Sequence, residues 1–222
     1  MDKILYNLKV EINNKIYIKD PETTQLGKKI IQYSIIMIHD LGFEQFTFRK
    51  LGKEIGSNES SIYRYFENKH KLLLYLTSWY WSWLEYQLVF QTMPFSEPRH
   101  KLLKAIEILT ADTSQDSTYD HINEVLLNEI IISEYSKSYL TKEVDRENKD
   151  GYFQVYKRLV GRLSDMVLAV NDSYSYPSSL SSMIIDGALH QHFLKGHFQA
   201  ITDCNENVTP TDYFKDLINR VL

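Results

Sequence analysis

The sequence is poor in the features that would place it in several large functional classes. It has one cysteine, Cys204, in 222 residues. One thiol cannot form an internal disulfide, and a lone unpaired cysteine fits a reducing compartment. No run of 18 apolar residues occurs. The densest stretch, Leu72 to Phe90, is interrupted by Ser82, Glu85 and Gln87, so no segment is expected to span a bilayer. The opening MDKILYNLKVEINNK lacks the apolar core and small-residue site of a secretory signal. These absences lead us to expect a soluble, cytoplasmic protein. There is also no glycine-rich phosphate loop and no serine in an elbow motif, so no enzyme is expected. His190 and His192 are two apart, and His197 lies five further on. Helical metal ligands need spacings of three or four, so neither a metal site nor a cofactor is expected. Internal repeats and low-complexity segments are missing as well.

What remains is an ordinary globular balance, 43% hydrophobic and 24% charged, with 16 Tyr, 10 Phe and 3 Trp. The net charge of −4 argues at first against a nucleic-acid partner, but it is unevenly distributed. From Thr24 to Leu72 there are eight basic and five acidic side chains, a local +3 that leaves −7 for the rest. A basic module attached to an acidic body is the pattern of a phosphate-facing domain.

Residues 4–19 differ from the rest. Leu8, Val10, Ile12, Ile16 and Ile18 alternate with polar residues around Asn13-Asn14, which suggests a β-hairpin. A partly ordered arm is the alternative. Beyond Pro21 the pattern is helical. A first helix is expected from Thr24 to Asp40, stopped by Gly42. A short second helix is capped by Thr47 and ends near Ile55. A third, Glu59 to Phe66, follows a turn at Gly56, and a long fourth starts after Asn68 and reaches toward Phe90. Further helices are expected over 98–111, 120–134, 151–170, 177–197 and 211–222, while Ser136 to Asp150 fits either helix or loop. The fold class is all-α. The expected division is an arm (1–23), a three-helix helix-turn-helix domain (24–70) and a helical ligand-binding and dimerisation domain (71–222).

The segment FTFRKLGKEIGSNESSIYRYFENK is the most informative. Leu51 and Ile55 can pack inward from one short helix, Ile62 and Phe66 from the next, and Gly56 permits the sharp turn between them. In such a unit the second helix enters the major groove of DNA. Ser60, Ser61, Tyr63, Arg64 and Tyr65 then remain for the outward face, with hydroxyls and a guanidinium suited to phosphates and base edges. Lys69 opens the next helix, where its ammonium and the free backbone N–H groups could hold a phosphate.

The run Thr47-Phe48-Arg49-Lys50-Leu51-Gly52, then Gly56, Ser61-Ile62-Tyr63-Arg64-Tyr65-Phe66 and Asn68-Lys69 with Leu72 resembles the TetR family of bacterial regulators over about Thr24 to Leu76. The resemblance implies an all-helical homodimer that binds a palindromic operator and responds to a small-molecule ligand, most often as a repressor. It also implies DNA contacts at Thr47, Ser61, Tyr63, Tyr65 and Lys69, to which outward-facing chemistry adds Ser60 and Arg64. Glu59 departs from the pattern. It either stabilises the helix N-terminus or accepts a hydrogen bond from a cytosine amino group. A helical interaction or ligand-sequestering protein that has lost DNA binding is the alternative function.

Two further groups stand out. Tyr75, Trp79, Trp83, Tyr86 and Phe90 form a helical stripe that is either core or one wall of a ligand pocket, with Trp79, Trp83, Tyr86, Phe90 and His190 as its candidates. Gly187-Ala188, flanked by Ile184 and Phe193, offers a small-residue surface for an approaching helix, taken as the dimer interface.

Overall fold

The computed structural model describes residues 12–115 and 118–222. Among them there are eleven α-helices and no strand. In chain order they are α1 (Gln25–Leu41), α2 (Phe48–Glu54), α3 (Glu59–Tyr63), α4 (Lys69–Thr92), α5 (Pro98–Thr110), α6 (Glu124–Glu134), α7 (Ser136–Tyr139), α8 (Val144–Lys149), α9 (Gln154–Val170), α10 (Pro177–His197) and α11 (Pro210–Val221). The stretch 136–150, open in the sequence, holds two short helices. The first strand of the expected hairpin lies outside the described residues. From Ile12 onward the chain makes a turn instead, in which the Ile16 N–H donates to the Asn13 carbonyl at 3.0 Å.

Local chemistry sets the helix ends. Thr24, Thr47, Asn58, Asn68 and Asn123 each accept a backbone N–H from the first turn that they precede, satisfying donors that the helix cannot pair internally. Thr209 and Asp212 form a reciprocal capping box at the start of α11. Gly42 ends α1 with φ +76°, a backbone angle that side chains with a Cβ resist.

Helix α4 is the axis of the molecule. Leu72, Leu73, Leu74, Leu76, Trp79, Trp81, Leu84 and Leu88 are all buried, and these positions go right round the helix. It must therefore be covered on every side, and α5, α6, α7 and α9 pack against it. Around that axis α9 lies against α10 and α5, while α11 closes over α5 and α10. One charged side chain of α4, Glu85, is buried in this packing. It is held by Arg158 and Arg162 of α9, whose Nε atoms lie 2.7 and 2.6 Å from its Oε1. Burial alone would raise the carboxyl pKa, but the two guanidiniums more than offset it and hold the pKa below its ordinary value.

The arm straps the two ends together. Ile16 is buried, and Lys15 pairs with Asp150 at 2.8 Å. Asn13 donates to the Asp150 carbonyl at 2.8 Å, and the Ile18 N–H donates to the carbonyl of Tyr65 at 2.8 Å. The Tyr17 ring meets Tyr75 edge-on. A Cβ at Gly27 would sit 2.2 Å from the Pro21 carbonyl oxygen, so only glycine lets the chain cross α1 there.

Replacing Glu85 with Gln should lower unfolding stability by about 2 kcal/mol, because two guanidiniums lose their charged partner on a partly exposed surface. Urea denaturation at pH 7 measures this. Since the folded pKa of Glu85 is depressed, its contribution is present above the unfolded value of about 4.5 and is lost as pH falls through the folded value. The wild-type and E85Q stabilities should therefore converge on acidification.

Candidate nucleic-acid interface

Helices α2 and α3 meet at a very close approach. The Ser57 N–H donates to the Gly52 carbonyl at 2.8 Å, and a Cβ on Gly52 would come within 3.1–3.3 Å of the backbone of Ser57, Asn58 and Glu59. Gly56 makes the turn with φ +67°. Behind it, Phe48, Leu51, Ile62 and Phe66 are buried and Ile55 is half-buried against them, so the inward side of the expected helix-turn-helix is present.

The outward side carries Thr47, Arg49, Lys50, Lys53, Ser60, Tyr63 and Arg64, all exposed. Ser60 and Arg64, four apart, sit opposite the buried Ile62 on the helical wheel. The Thr47 oxygen caps α2 by accepting the Lys50 N–H at 3.2 Å, which leaves its hydroxyl proton for another acceptor. Ser61 is half-buried, with its hydroxyl donating to Asn58 Oδ1 at 2.8 Å. Tyr63 leans on Phe48, ring centroids 5.1 Å apart, and its hydroxyl donates to Glu59 Oε1 at 3.2 Å. Desolvation and that carboxylate both raise the Tyr63 pKa. Arg49, Lys50 and Lys53 add to the local positive charge but were not expected as DNA contacts, and they extend the basic face onto α2.

Tyr65 corrects an expectation. It was placed outward, but it is 4% exposed, because α3 ends at Tyr63 and the chain then turns inward. Its hydroxyl lies 2.7 Å from the Thr24 Oγ1, at the start of α1, so it fastens the recognition helix to α1 and to the arm. Lys69 is also differently engaged. Its ammonium donates to the carbonyls of Phe43 at 2.9 Å and Glu44 at 3.1 Å and lies 4.7 Å from the centre of the Phe43 ring. It stabilises the loop between α1 and α2 rather than waiting at the end of α4.

This unit is bound to the body by side chains from several elements. His39 of α1 meets Glu129 of α6 at 2.7 Å and its neighbour Asp40 at 2.8 Å. The Phe43 N–H donates to the buried Glu134 at 3.1 Å, and Lys137 bridges Glu44 and Glu134. His70 pairs with the buried Glu147 at 2.9 Å, and His121 with Glu22 at 2.9 Å. Lys71 donates to the Tyr152 hydroxyl, with its ammonium 3.9 Å above that ring.

The expected pocket differs from the observed one. A cleft of about 400 Å³ lies between α4, α5 and residues 111–115, lined by Tyr80, Trp83, Gln87, Lys104, Asp112 and Gln115 among others. Of the candidates, only Trp83 lines it. Trp79 is buried against Tyr119, Tyr86 and Phe90 stack on each other outside, and His190 is exposed on α10. The interface candidates are corrected as well. Ile184 and Ala188 are buried within the subunit, and a Cβ at Gly187 would sit 2.9 Å from the Phe214 ring of α11. A helix does approach this small-residue surface, but it belongs to the same chain. Phe193 is half-buried beside His197 and Phe198. Among the described residues no three His, Cys, Asp or Glu side chains converge as metal ligands, and no helix is long and apolar enough to cross a membrane.

Two outcomes test these placements. Tyr65→Phe should lower unfolding stability by about 1 kcal/mol through loss of the Thr24 bond, measured by thermal denaturation. The hydrogen bond to Asp40, with Glu129 adding to it, raises the His39 pKa above 6.5. The gain from protonated His39 is therefore full below pH about 6.5 and disappears as pH rises through the folded value. His39→Gln should flatten that part of the stability profile.

No curated protein matches the sequence. Residues 30–76, from the buried face of α1 to Leu76 in α4, match the family described as bacterial regulatory proteins, tetR family. Over most of its length the chain resembles AibR as crystallised with isovaleryl coenzyme A and operator DNA, with 14% identity and TM-score 0.57 over 86% of this chain and 95% of that one. Apo AibR gives 12% identity and TM-score 0.55 over 88% and 97%. The superantigen PfiT gives 17% identity and TM-score 0.59 over 92% and 98%. At these identities the likeness is one of fold. Residues 30–76 thus match a domain of the tetR family of bacterial regulatory proteins, and the rest of the chain is like these structures in fold alone.

Proposed function

We propose that this protein is a DNA-binding transcriptional repressor that acts as a homodimer and is released from a palindromic operator by a small-molecule ligand, with no catalytic activity of its own. The observation that carries the DNA-binding part is the exposed face of α2 and α3. Arg49, Lys50, Lys53 and Arg64 stand there with the hydroxyls of Thr47, Ser60 and Tyr63, on a unit whose opposite side is fully packed. Cations supply affinity for any phosphate backbone, while Ser60 and Arg64, at the centre of the face, reach base edges.

The ligand reading rests on the α4–α5 cleft. Its lining joins the aromatic Tyr80 and Trp83 to a larger set of polar groups, among them Gln87, Lys104, Glu107, Asp112 and Gln115, so a ligand there would be a polar or charged small molecule held by hydrogen bonds and ion pairs as well as by ring contact. The AibR complex, named for an acyl coenzyme A and operator DNA, is a fold relative in which both partners occur. Because α4 runs from this cleft to Lys69, a ligand that shifts α4 changes the placement of two recognition helices in a dimer, and so the population able to span two half-sites. The dimer seam is proposed on the outward rows of α9 and α10, where Gly161, Leu168, Met183 and His190 are exposed. These two helices meeting their copies form a four-helix contact.

The competing reading is a ligand-binding or interaction protein without DNA affinity. Glu59 on the recognition helix favours it, as does a fold shared with a protein named as a superantigen. Fluorescence anisotropy with duplex fragments of the protein's own promoter region separates the two. Salt-sensitive, sequence-selective binding, weakened roughly ten-fold or more by Arg64→Ala on the preferred duplex but far less on unrelated DNA, is the expected result. Equal, weak binding to every duplex would overturn the reading. Met183→Asp should shift the solution mass by light scattering from dimer toward monomer.

A further inference from the structure

We infer that Glu59, held by Tyr63, is a specificity residue that reads the amino group of a cytosine, so that each half-site contains a C·G pair facing the first turn of α3. The inference rests on the DNA-binding reading above and adds a base to it.

Glu59 is the first residue of α3, the turn that enters the groove in a helix-turn-helix. A carboxylate there looks like an error on a surface built for phosphates, and its simplest excuse would be to cap the helix. The structure gives that task to another residue. Asn58 Oδ1 takes both the Ser61 N–H and the Ser61 hydroxyl, each at 2.8 Å, so the first turn is already satisfied. Glu59 instead runs along the helix to accept the Tyr63 hydroxyl at 3.2 Å through Oε1. Tyr63 is in turn fixed by its edge-to-face contact with Phe48, a buried residue of α2. The carboxylate is thereby braced against Tyr63 rather than left to swing toward solvent. Its Oε2 is not used by the Tyr63 bond.

The chemistry of the groove then narrows the partner. An ionised carboxylate accepts hydrogen bonds and donates none. Phosphates and the acceptor edges of guanine and thymine repel it. Of the major-groove donors, the cytosine N4 amino group stands without an adjacent acceptor, whereas adenine presents N7 beside its amino group and suits an amide. Arg64, five residues on and just past the end of α3, carries the complementary preference, since a guanidinium pairs with guanine O6 and N7. A carboxylate and a guanidinium on one short segment therefore favour a C·G and a G·C pair within the same half-site, and the acidic group excludes sequences that place acceptors under it.

The test is selection of duplexes from a randomised double-stranded pool by the full-length protein, followed by titration of the selected sequence and single-base variants. Wild type should recover sites with a C·G pair at one position in each half-site. Glu59→Ala should lose the preference at that position, roughly ten-fold, and keep the others. Glu59→Gln should shift it toward A·T. Tyr63→Phe, which removes the brace and keeps the ring packing, should weaken the same preference more than any other. Circular dichroism confirms that each variant is folded. If Glu59→Ala selects the same sequences and binds all DNA more tightly, the carboxylate only repels and the inference is overturned. If wild type selects no sequence at all, the DNA-binding reading itself fails, and the inference with it.

Discussion

A helix without a polar face cannot lie on the surface of a protein, and α4 is such a helix. Its leucines and tryptophans are buried all the way round, so the other helices have to assemble as a sleeve. This one constraint explains the arrangement. The first turns of α4 receive the α1–α2 loop through Lys69 and the arm through Tyr75, and Lys71 ties them to Tyr152 before α9. Its remaining turns are enclosed by α5, α6, α7 and α9. Glu85, a charged side chain buried on α4, is the point where two arginines of α9 lock the sleeve shut. Whatever moves α4 moves the reading unit with it.

Much of this was legible in the sequence because the short-range signals agree. Thr47, Gly56, Asn58 and Asn68 mark starts and turns by mechanisms that act over three or four residues, and Leu51, Ile62 and Phe66 have the spacing that a shared core needs. The readings that failed are those in which the decisive partner lies far along the chain. Gly187-Ala188 does announce a close helix, but nothing in its neighbourhood distinguishes Phe214 of the same subunit from a residue of a second copy. Lys69 looks free until the loop carbonyls of Phe43 and Glu44 fold beneath it. Tyr65, two residues after Tyr63, appears outward only if α3 is drawn on to Phe66, three residues too long. The aromatic stripe was ambiguous for a related reason: on a helix buried on every side, a row of rings does not indicate which side is hollow, and the cleft formed where α5 and residues 111–115 leave a gap.

The side chains between the reading unit and the body are unusual in chemistry. Histidine–carboxylate and lysine–carboxylate pairs (His39, His70, His121, Lys15 and Lys137) carry most of the polar contact. Such pairs each contribute modestly to stability, so the junction is positioned by several weak contacts rather than by one strong one. The strap formed by the arm adds a direct link from the α8–α9 turn to the end of α3, so the body touches the recognition helix by a second path besides α4.

The central claim is that the outward face of α2 and α3 is the surface that meets DNA. Hydrogen–deuterium exchange of the full chain, with and without a duplex that it binds, tests this most directly. The account predicts that DNA slows exchange across Thr47 to Arg64 while the amides lining the α4–α5 cleft are protected little or not at all. Protection confined to the body, with Thr47 to Arg64 unchanged, would contradict it.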